Sequence, residues 1–477
     1  MKGIVGILMA VATAHCVAPS AHGDMPRPNV LFIAVDDLRP MLGCYGDTTV
    51  QSPCIDAFAA SATRFDKAYC QFALCNPSRA SLLAGRRPET LGVVTLAKFV
   101  RDGNPDLVTL PEHFMAHGYE TRSYGKIFHV TNGNHDDARS WSVPPWPVRK
   151  PVKPVTHTGE GPVDETSDHS NDDPAVVADV ADDELADGKI AAKAVEALGE
   201  LKGRPFFLAV GFHKPHLPFV APQRYWDRYD PSSLPLPSQP DLPTSAPAFA
   251  SNDSAELRRY KGIPRQGPAV TDAEARHLIH GYHACVSYVD AQVGRVLDEL
   301  DRLGLAESTV VVLWADHGYH LGEQGTWTKR TAWEIATRVP LVIRCPGRGT
   351  TDTKVDAIVE LLDIYPTLVD LCGLPMPPKL EGRSLAPLLD NPGRDWPNVA
   401  RSLIAKQSPE LGGPITGRAV RTPRYRWVEW SGRPLATPVH ELYDHDSDPL
   451  ETRSIADTPA GIRVIADLRS RFAGAAR

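Results

Sequence analysis

The chain has no excess of positive charge: 51 Lys and Arg stand against 58 Asp and Glu, a formal net charge of −7. A nucleic-acid binder ordinarily carries a basic stripe, so that class is set aside. Beyond the first residues, no apolar run approaches the roughly 20 residues that span a bilayer, and no integral membrane span is expected in the mature chain. The eight cysteines include no CxxC pair, which argues against a zinc ribbon. Cys44, Cys54, Cys70, Cys285, Cys345 and Cys372 lie too far apart for a disulfide scaffold. Buried thiols are the simplest reading, with one or two bridges left open in an oxidising compartment. There is no internal repeat, and 44 prolines against 36 glycines point to long ordered loops.

The rest of the composition is ordinary. Apolar residues at 42% and charged residues at 23% exclude a disordered or fibrous chain. At roughly 100–200 residues per domain, 477 residues predict two to three structural units. Residues 1–23 read as a signal peptide: Met1-Lys2 is the cationic start, Gly3–Val11 the apolar run, and Ala21-His22-Gly23 the small-residue cleavage region. Cys16 leaves with it, and the mature protein is expected in the periplasm or secreted.

Residues 24–375 alternate strand and helix patterns. Asn29–Val35 is a continuous apolar run, as a strand buried on both faces requires. Pro205–Val210, Ser308–Trp314 and Val339–Ile343 read the same way. The clearest helix opens on the capping box Thr271-x-x-Glu274 and stops near Gly304. This alternation predicts an α/β fold with a mostly parallel sheet flanked by helices. Two stretches, 131–187 and 230–270, lack periodicity and read as insertions rimming a cleft. Residues 376–477 predict a smaller α+β subdomain, with a strand at Tyr425–Trp430 and a last helix from Pro459 capped by Thr458.

Ionisable residues collect just after the predicted strands: Asp36-Asp37, then His213, Lys214 and His216, then Asp316-His317. In open α/β sheets, sites form beyond the carboxyl ends of strands, so these ends are expected to converge. Two carboxylates about 4 Å apart repel by ~4 kcal/mol at an effective dielectric near 20. A divalent cation relieves this, and oxygen ligands select Ca²⁺ or, second, Mg²⁺ over zinc. His317 is an unusual ligand for a hard cation and can instead lie beside it, against an anionic substrate. The most specific pattern is Cys75-Asn76-Pro77-Ser78-Arg79 followed by a helical run to Gly85-Arg86. It places Cys75 at a helix N-terminus, where N–H groups and the dipole favour an anion.

That pentapeptide and the later Gly-Arg resemble the signature of the type I sulfatases, whose cysteine is oxidised to formylglycine. Asp36-Asp37 and Asp316-His317-Gly318 resemble the metal ligands of that family, with position 75 joining them. Gly125-Lys126 and His129 are similar to its next active-site segment. Gly211–Pro218 and Leu321–Lys329 resemble especially the iduronate-2-sulfatase branch, and Glu441–Pro449 resembles a sulfatase ending. The resemblance implies an alkaline-phosphatase-like fold, a maturation enzyme that generates formylglycine, and a sulfated sugar or oligosaccharide as substrate, with 2-O-sulfated uronates foremost. It further implies that Arg79 and Lys126 hold the formylglycine oxygens and that Lys329 binds a sulfate oxygen. His213 then binds sulfate and protonates the leaving oxygen, and His129 relays a proton. Lys214 and His216 either contact the substrate or pack their own loop, Tyr319 is expected near the substrate, and Arg418 and Arg421 either bind a uronate carboxylate or form a solvated face. Tyr319 and Gln324 depart from the branch pattern, which bears on the sugar rather than the reaction. His277, His280 and His283, on the long helix, are expected to be structural. A phosphate or phosphonate ester hydrolase of the same fold, and a glycan-binding pseudoenzyme, are the alternatives.

Overall fold

A computed structural model of the chain describes residues 27–130, 136–146, 169–349 and 351–472. The expected signal peptide and the middle of the first insertion lie outside the described residues. The central sheet is mixed and has eight strands. These are β1 (Asn29–Val35), β2 (Thr63–Tyr69), β3 (Glu120–Gly125), β4 (Phe206–Phe212), β5 (Thr309–Ala315), β6 (Arg338–Val339), β7 (Leu341–Arg344) and β8 (Thr353–Glu360). They lie in the order β6-β2-β7-β5-β1-β4-β3, with β8 paired to β2. The neighbours β5, β1, β4 and β3 are all parallel, so four carboxyl ends open side by side.

Each side chain of β1 is buried, and each large apolar one contributes roughly 1.5–3 kcal/mol by leaving water. Two parts of the sheet depart from the expected pattern. Pro340 has no N–H to give, so the run Val339–Ile343 is broken into β6 and β7, and β7 lies antiparallel to β5. The strand β2 was not legible as a buried run because Arg64, Asp66 and Lys67 interrupt it; Arg64 and Asp66 share one face and meet at 2.7 Å.

Helices cover the sheet: α1 (Cys75–Ala84), α2 (Ala186–Leu201) and α3 (Asp272–Arg302) carry the site or its supports. The α3 helix begins with the expected capping box and ends before Gly304. Its histidines pack as structural groups: His280 Nε2 meets the Trp226 carbonyl at 2.8 Å, and His277 lies against the same indole. The C-terminal strands β9 (Ala400–Ser408), β10 (Gly413–Arg421), β11 (Tyr425–Ser431) and β12 (Val439–Asp444) form an antiparallel meander. The closing helix α4 (Pro459–Phe472) buries Ile465 and Leu468 against Val420, Trp427 and Leu442. Thr458 caps it, its hydroxyl accepting from the Gly461 N–H at 3.0 Å.

All seven cysteines among the described residues are free thiols, so the bridges left open by the sequence do not form there. No helix among the described residues is long and apolar enough to cross a membrane. A pH dependence of stability follows from His320, fully buried with Nε2 at 2.8 Å from the Thr331 hydroxyl. Burial lowers its pKa from 6.5 to about 4. The unfolded chain therefore takes up a proton below pH 6.5 that the native state refuses until pH 4. Stability falls across that window, by about 3 kcal/mol for this residue at 1.36 kcal/mol per unit. Thermal melts of His320→Gln should show a shallower acid limb than the parent. An identical limb would place the acid sensitivity elsewhere.

Candidate active site

The site is assembled where β5, β1, β4 and β3 end. Asp37 follows β1 in a left-handed backbone conformation (φ 58°), an uncommon one for a non-glycine residue. Two contacts hold it: the Tyr282 hydroxyl donates to the Asp37 carbonyl at 2.8 Å, and the Asp37 N–H donates to Asp316 Oδ1 at 3.2 Å. The α3 helix thereby fixes the turn that presents both aspartates. Beside them β3 and β4 close to backbone contact through two glycines. A Cβ on Gly211 would lie 2.0 Å from the Lys126 carbonyl oxygen, and Gly125 turns at φ 81°. Only glycine allows that approach, which swings Lys126 over to Asp36.

Cys75 opens α1, fully buried. One turn on, the Arg79 guanidinium donates to Asp316 Oδ2 at 2.8 Å, to Asp36 Oδ1 at 3.0 Å, and to the carbonyls of Lys126 and Ile127. Lys126 Nζ donates to the other Asp36 oxygen at 2.5 Å. Burial alone pushes the Asp36 carboxyl up, but Lys126 and Arg79 outweigh it and hold it well below the usual carboxylate range. At Asp316 burial wins, and its carboxyl is raised despite Arg79 and His317. The three carboxylates thus share their pocket with Arg79, Lys126 and Lys329. The charge problem that the sequence assigned to a metal alone is met in part by the protein's own cations.

The donors still fit a metal ion. Ligand atoms of Asp36, Asp37, Cys75 and His216 lie within 4.8 Å of one another, as do those of Cys75, Asp316 and His317. His317 Nδ1 is 3.0 Å from the Gly318 carbonyl, which can only accept, so the ring proton belongs there. In the neutral ring, Nε2 then turns its lone pair inward, 3.2 Å from Cys75 Sγ and 3.3 Å from Asp37 Oδ1. The three carboxylates among these donors suit a hard divalent cation better than zinc.

Lys329 closes the far side. Its ammonium meets both Asp37 oxygens at 3.2 and 3.0 Å and both Glu256 oxygens at 3.2 and 3.0 Å. His216 Nε2 lies 3.4 Å from Glu256 and 3.8 Å from Asp37. Next to it the Asp187 carboxylate, in the first turn of α2, accepts from the N–H groups of His213 and Lys214 at 2.8 Å each. It also faces His213 Nδ1 at 3.3 Å. His129 is buried just beyond Lys126. Asp187 and Glu256 were missed by sequence reasoning. Both lie in the aperiodic insertions, and only the expectation that these rim the cleft pointed towards them.

Four expected substrate contacts have other surroundings. Tyr319 is fully buried, stacked on Tyr282 with centroids 5.6 Å apart, so it belongs to the packing under the site rather than to a rim. Lys214 turns its ammonium to the carbonyls of His216 and Pro218, at 3.1 and 2.6 Å, and ties up its own loop. Arg421 is buried against Glu334 at 3.1 Å and His445 at 2.9 Å. Arg418 donates to Ser431 at 3.3 Å and lines a separate 420 Å³ cavity with Arg87 and Arg401. Both arginines lie on the C-terminal meander, whose strand pairing the sequence did not reveal.

Comparison with known proteins agrees with this architecture. The Sulfatase family model matches residues 28–374, and the model described as N-sulphoglucosamine sulphohydrolase, C-terminal, matches residues 322–477. The chain is 34% identical to iduronate 2-sulfatase of Homo sapiens, covering 95% of this chain and 96% of that protein. It is 33% identical to a sulfatase of Formosa agariphila, covering 94% of this chain and 88% of that one. Among solved structures, a 2-O GAG sulfatase superposes with a TM-score of 0.70 at 25% identity, covering 94% of this chain and 91% of that one. A protein in complex with its substrate D-glucosamine-2-N,6-O-disulfate gives 0.74 at 22% identity, with 94% and 98% covered. With the family model spanning most of its length and its fold the alkaline-phosphatase-like one, this chain belongs to the sulfatase family and is a sulfuric ester hydrolase.

Proposed function

We propose that the enzyme removes sulfate from 2-O-sulfated uronic acid residues of a sulfated glycan, with oxidised Cys75 as nucleophile and Ca²⁺ beside it. In this reading the chain is exported, and a formylglycine-generating enzyme matures it. The observation that carries the reading is Cys75 at the start of α1, ringed by Asp36, Asp37, His317 and Arg79. The sugar assignment is supported by the 34% identity to a protein named iduronate 2-sulfatase and the 25% identity to a 2-O GAG sulfatase.

Asp36, Asp37, Asp316 and His317 would hold the cation, which supplies a positive charge against a sulfate oxygen and the nucleophile. Formylglycine supplies, as its hydrate, one oxygen to attack sulfur and a second to release sulfate afterwards. Arg79 and Lys126 hold the oxygens at position 75. Lys329 offers its ammonium to a sulfate oxygen, where charge accumulates in the transition state. His213 protonates the departing sugar oxygen from Nε2, and Asp187 at Nδ1 steadies the cationic ring that precedes the transfer. His129 takes the proton whose loss accompanies sulfate release. His216, between Glu256 and Asp37, borders the sulfate.

A panel of defined sulfated disaccharides, run with phosphate and phosphonate monoesters, tests the reading. Terminal 2-sulfated uronates should be cleaved faster than 6-sulfated amino sugars, and sulfate esters faster than phosphonates. A chelator should abolish turnover, and Ca²⁺ should restore it better than Zn²⁺. The reverse sugar order moves the enzyme to another substrate, and full activity in metal-free protein removes the cation from the mechanism.

A further inference from the structure

The structure assigns Glu256 a part in the site: it is the positioning residue for Lys329. The inference rests on the proposed reading that Lys329 binds a sulfate oxygen. The Lys329 ammonium meets the carboxylates of Asp37 and Glu256, each at 3.0 Å. They are not equivalent, because Asp37 also belongs to the group of side chains able to hold a metal. A carboxylate bound to a divalent cation is a weaker partner for an ammonium. Once Asp37 serves the metal, Glu256 still holds the Lys329 ammonium in its aim.

The backbone around Lys329 shows why such a tether is needed. Thr328 and Arg330, on either side of it, both adopt left-handed conformations, φ 75° and 70°. For a β-branched threonine that is a genuine outlier, and strain of this kind persists only where surroundings over-determine it. The segment that carries Glu256 supplies those surroundings. Asn252, four residues earlier, donates its amide to the carbonyls of Trp327 and Lys329 and to the Thr328 hydroxyl. The Ser254 hydroxyl accepts from the Trp327 N–H at 2.9 Å. From the C-terminal meander, the Lys406 ammonium donates to the carbonyls of Ala250 and Ser251 at 3.1 and 2.6 Å. One face of the insertion therefore clamps the main chain of Lys329, and Glu256 holds its head.

The test uses the full-length, Ca²⁺-loaded enzyme and inorganic sulfate as the probe, titrated calorimetrically, with sulfate-ester kinetics alongside. A carboxylate beside an anion site has two opposed effects. If Glu256 merely repels sulfate, Glu256→Gln tightens sulfate binding. If it positions Lys329, the same change weakens binding, by about 10-fold or more for a charged hydrogen-bond partner lost. The expected result is the weakening, with kcat/KM reduced at least in proportion. Glu256→Asp, which keeps the charge on a shorter arm, should recover much of the affinity. Sulfate bound by Glu256→Gln as tightly as by the parent, or more tightly, overturns the proposal. So does a Glu256→Asp variant no better than Glu256→Gln. A parent enzyme that binds no sulfate overturns the Lys329 assignment itself, and the proposal with it. A parent that binds sulfate but cleaves only phosphonates refutes the substrate reading and leaves the positioning role standing.

Discussion

Cys75→Ser is expected to convert the enzyme from a catalyst into a reagent that reacts once. In the proposed mechanism a serine offers one oxygen where oxidised Cys75 would offer two, and the remaining machinery is intact. Its hydroxyl would start α1 where Cys75 does, one turn from Arg79 and facing His317 Nε2 across 3.2 Å in the parent. Attack on sulfur remains open, because Arg79, Lys126 and Lys329 still stabilise the charge that develops. Release does not, since a serine sulfate ester has no second hydroxyl from which to expel the sulfate. Steady turnover should fall by about 10³-fold or more, as for removal of other catalytic nucleophiles. Intact-mass measurement after exposure to a sulfated substrate should show a persistent sulfate adduct on the peptide that contains position 75. Sustained turnover by the serine variant near the parental rate would refute the oxidised-cysteine mechanism. Loss of turnover with no adduct on the peptide would refute the claim that the serine can still attack.

How much of this was legible in the sequence depends on the range over which each signal acts. The parallel strands β1, β4 and β5 are buried on both faces, so their apolar runs announce them without reference to partners. Residues that follow such strands inherit a position from the topology, and the structure brings Asp36, Asp37, Asp316 and His317 to one place. Cys75 and Arg79 carried their own local signal, a proline in the first helical turn and a one-turn spacing. Asp187 and Glu256 carried none. Each is an acidic residue in an aperiodic stretch, indistinguishable from solvated neighbours until tertiary contacts bring it to His213 or Lys329. The opposite error befell Arg421 and Tyr319. Arg421 was read as a uronate ligand or part of a solvated face and Tyr319 as lying near the substrate, and the fold instead uses Arg421 to meet Glu334 and Tyr319 to stack on Tyr282.

The carboxylates and cations of the site differ in how replaceable they are, and Arg79 is the least so. Its planar fork reaches Asp36, Asp316 and two carbonyls at once, in a pocket from which water is excluded. Arg79→Met removes the charge and leaves Asp36 with Lys126 alone and Asp316 with no strong cationic partner. Breaking a buried pair from one side costs about 3–5 kcal/mol, because the stranded charge stays desolvated. Arg79→Lys retains the charge, but an ammonium cannot span both carboxylates, so it should recover part of the stability and little of the activity. For either variant kcat should fall about 10²–10³-fold, the usual cost of losing a preorganised charge at the reacting centre. Calcium should raise the melting temperature of Arg79→Met more than that of the parent, since a cation among the carboxylates relieves repulsion that Arg79 no longer offsets. Calorimetric melts with and without calcium, set beside turnover of a sulfate ester, measure all of this. A Met variant that melts and turns over like the parent would show that Arg79 neither holds the carboxylates nor serves the reaction.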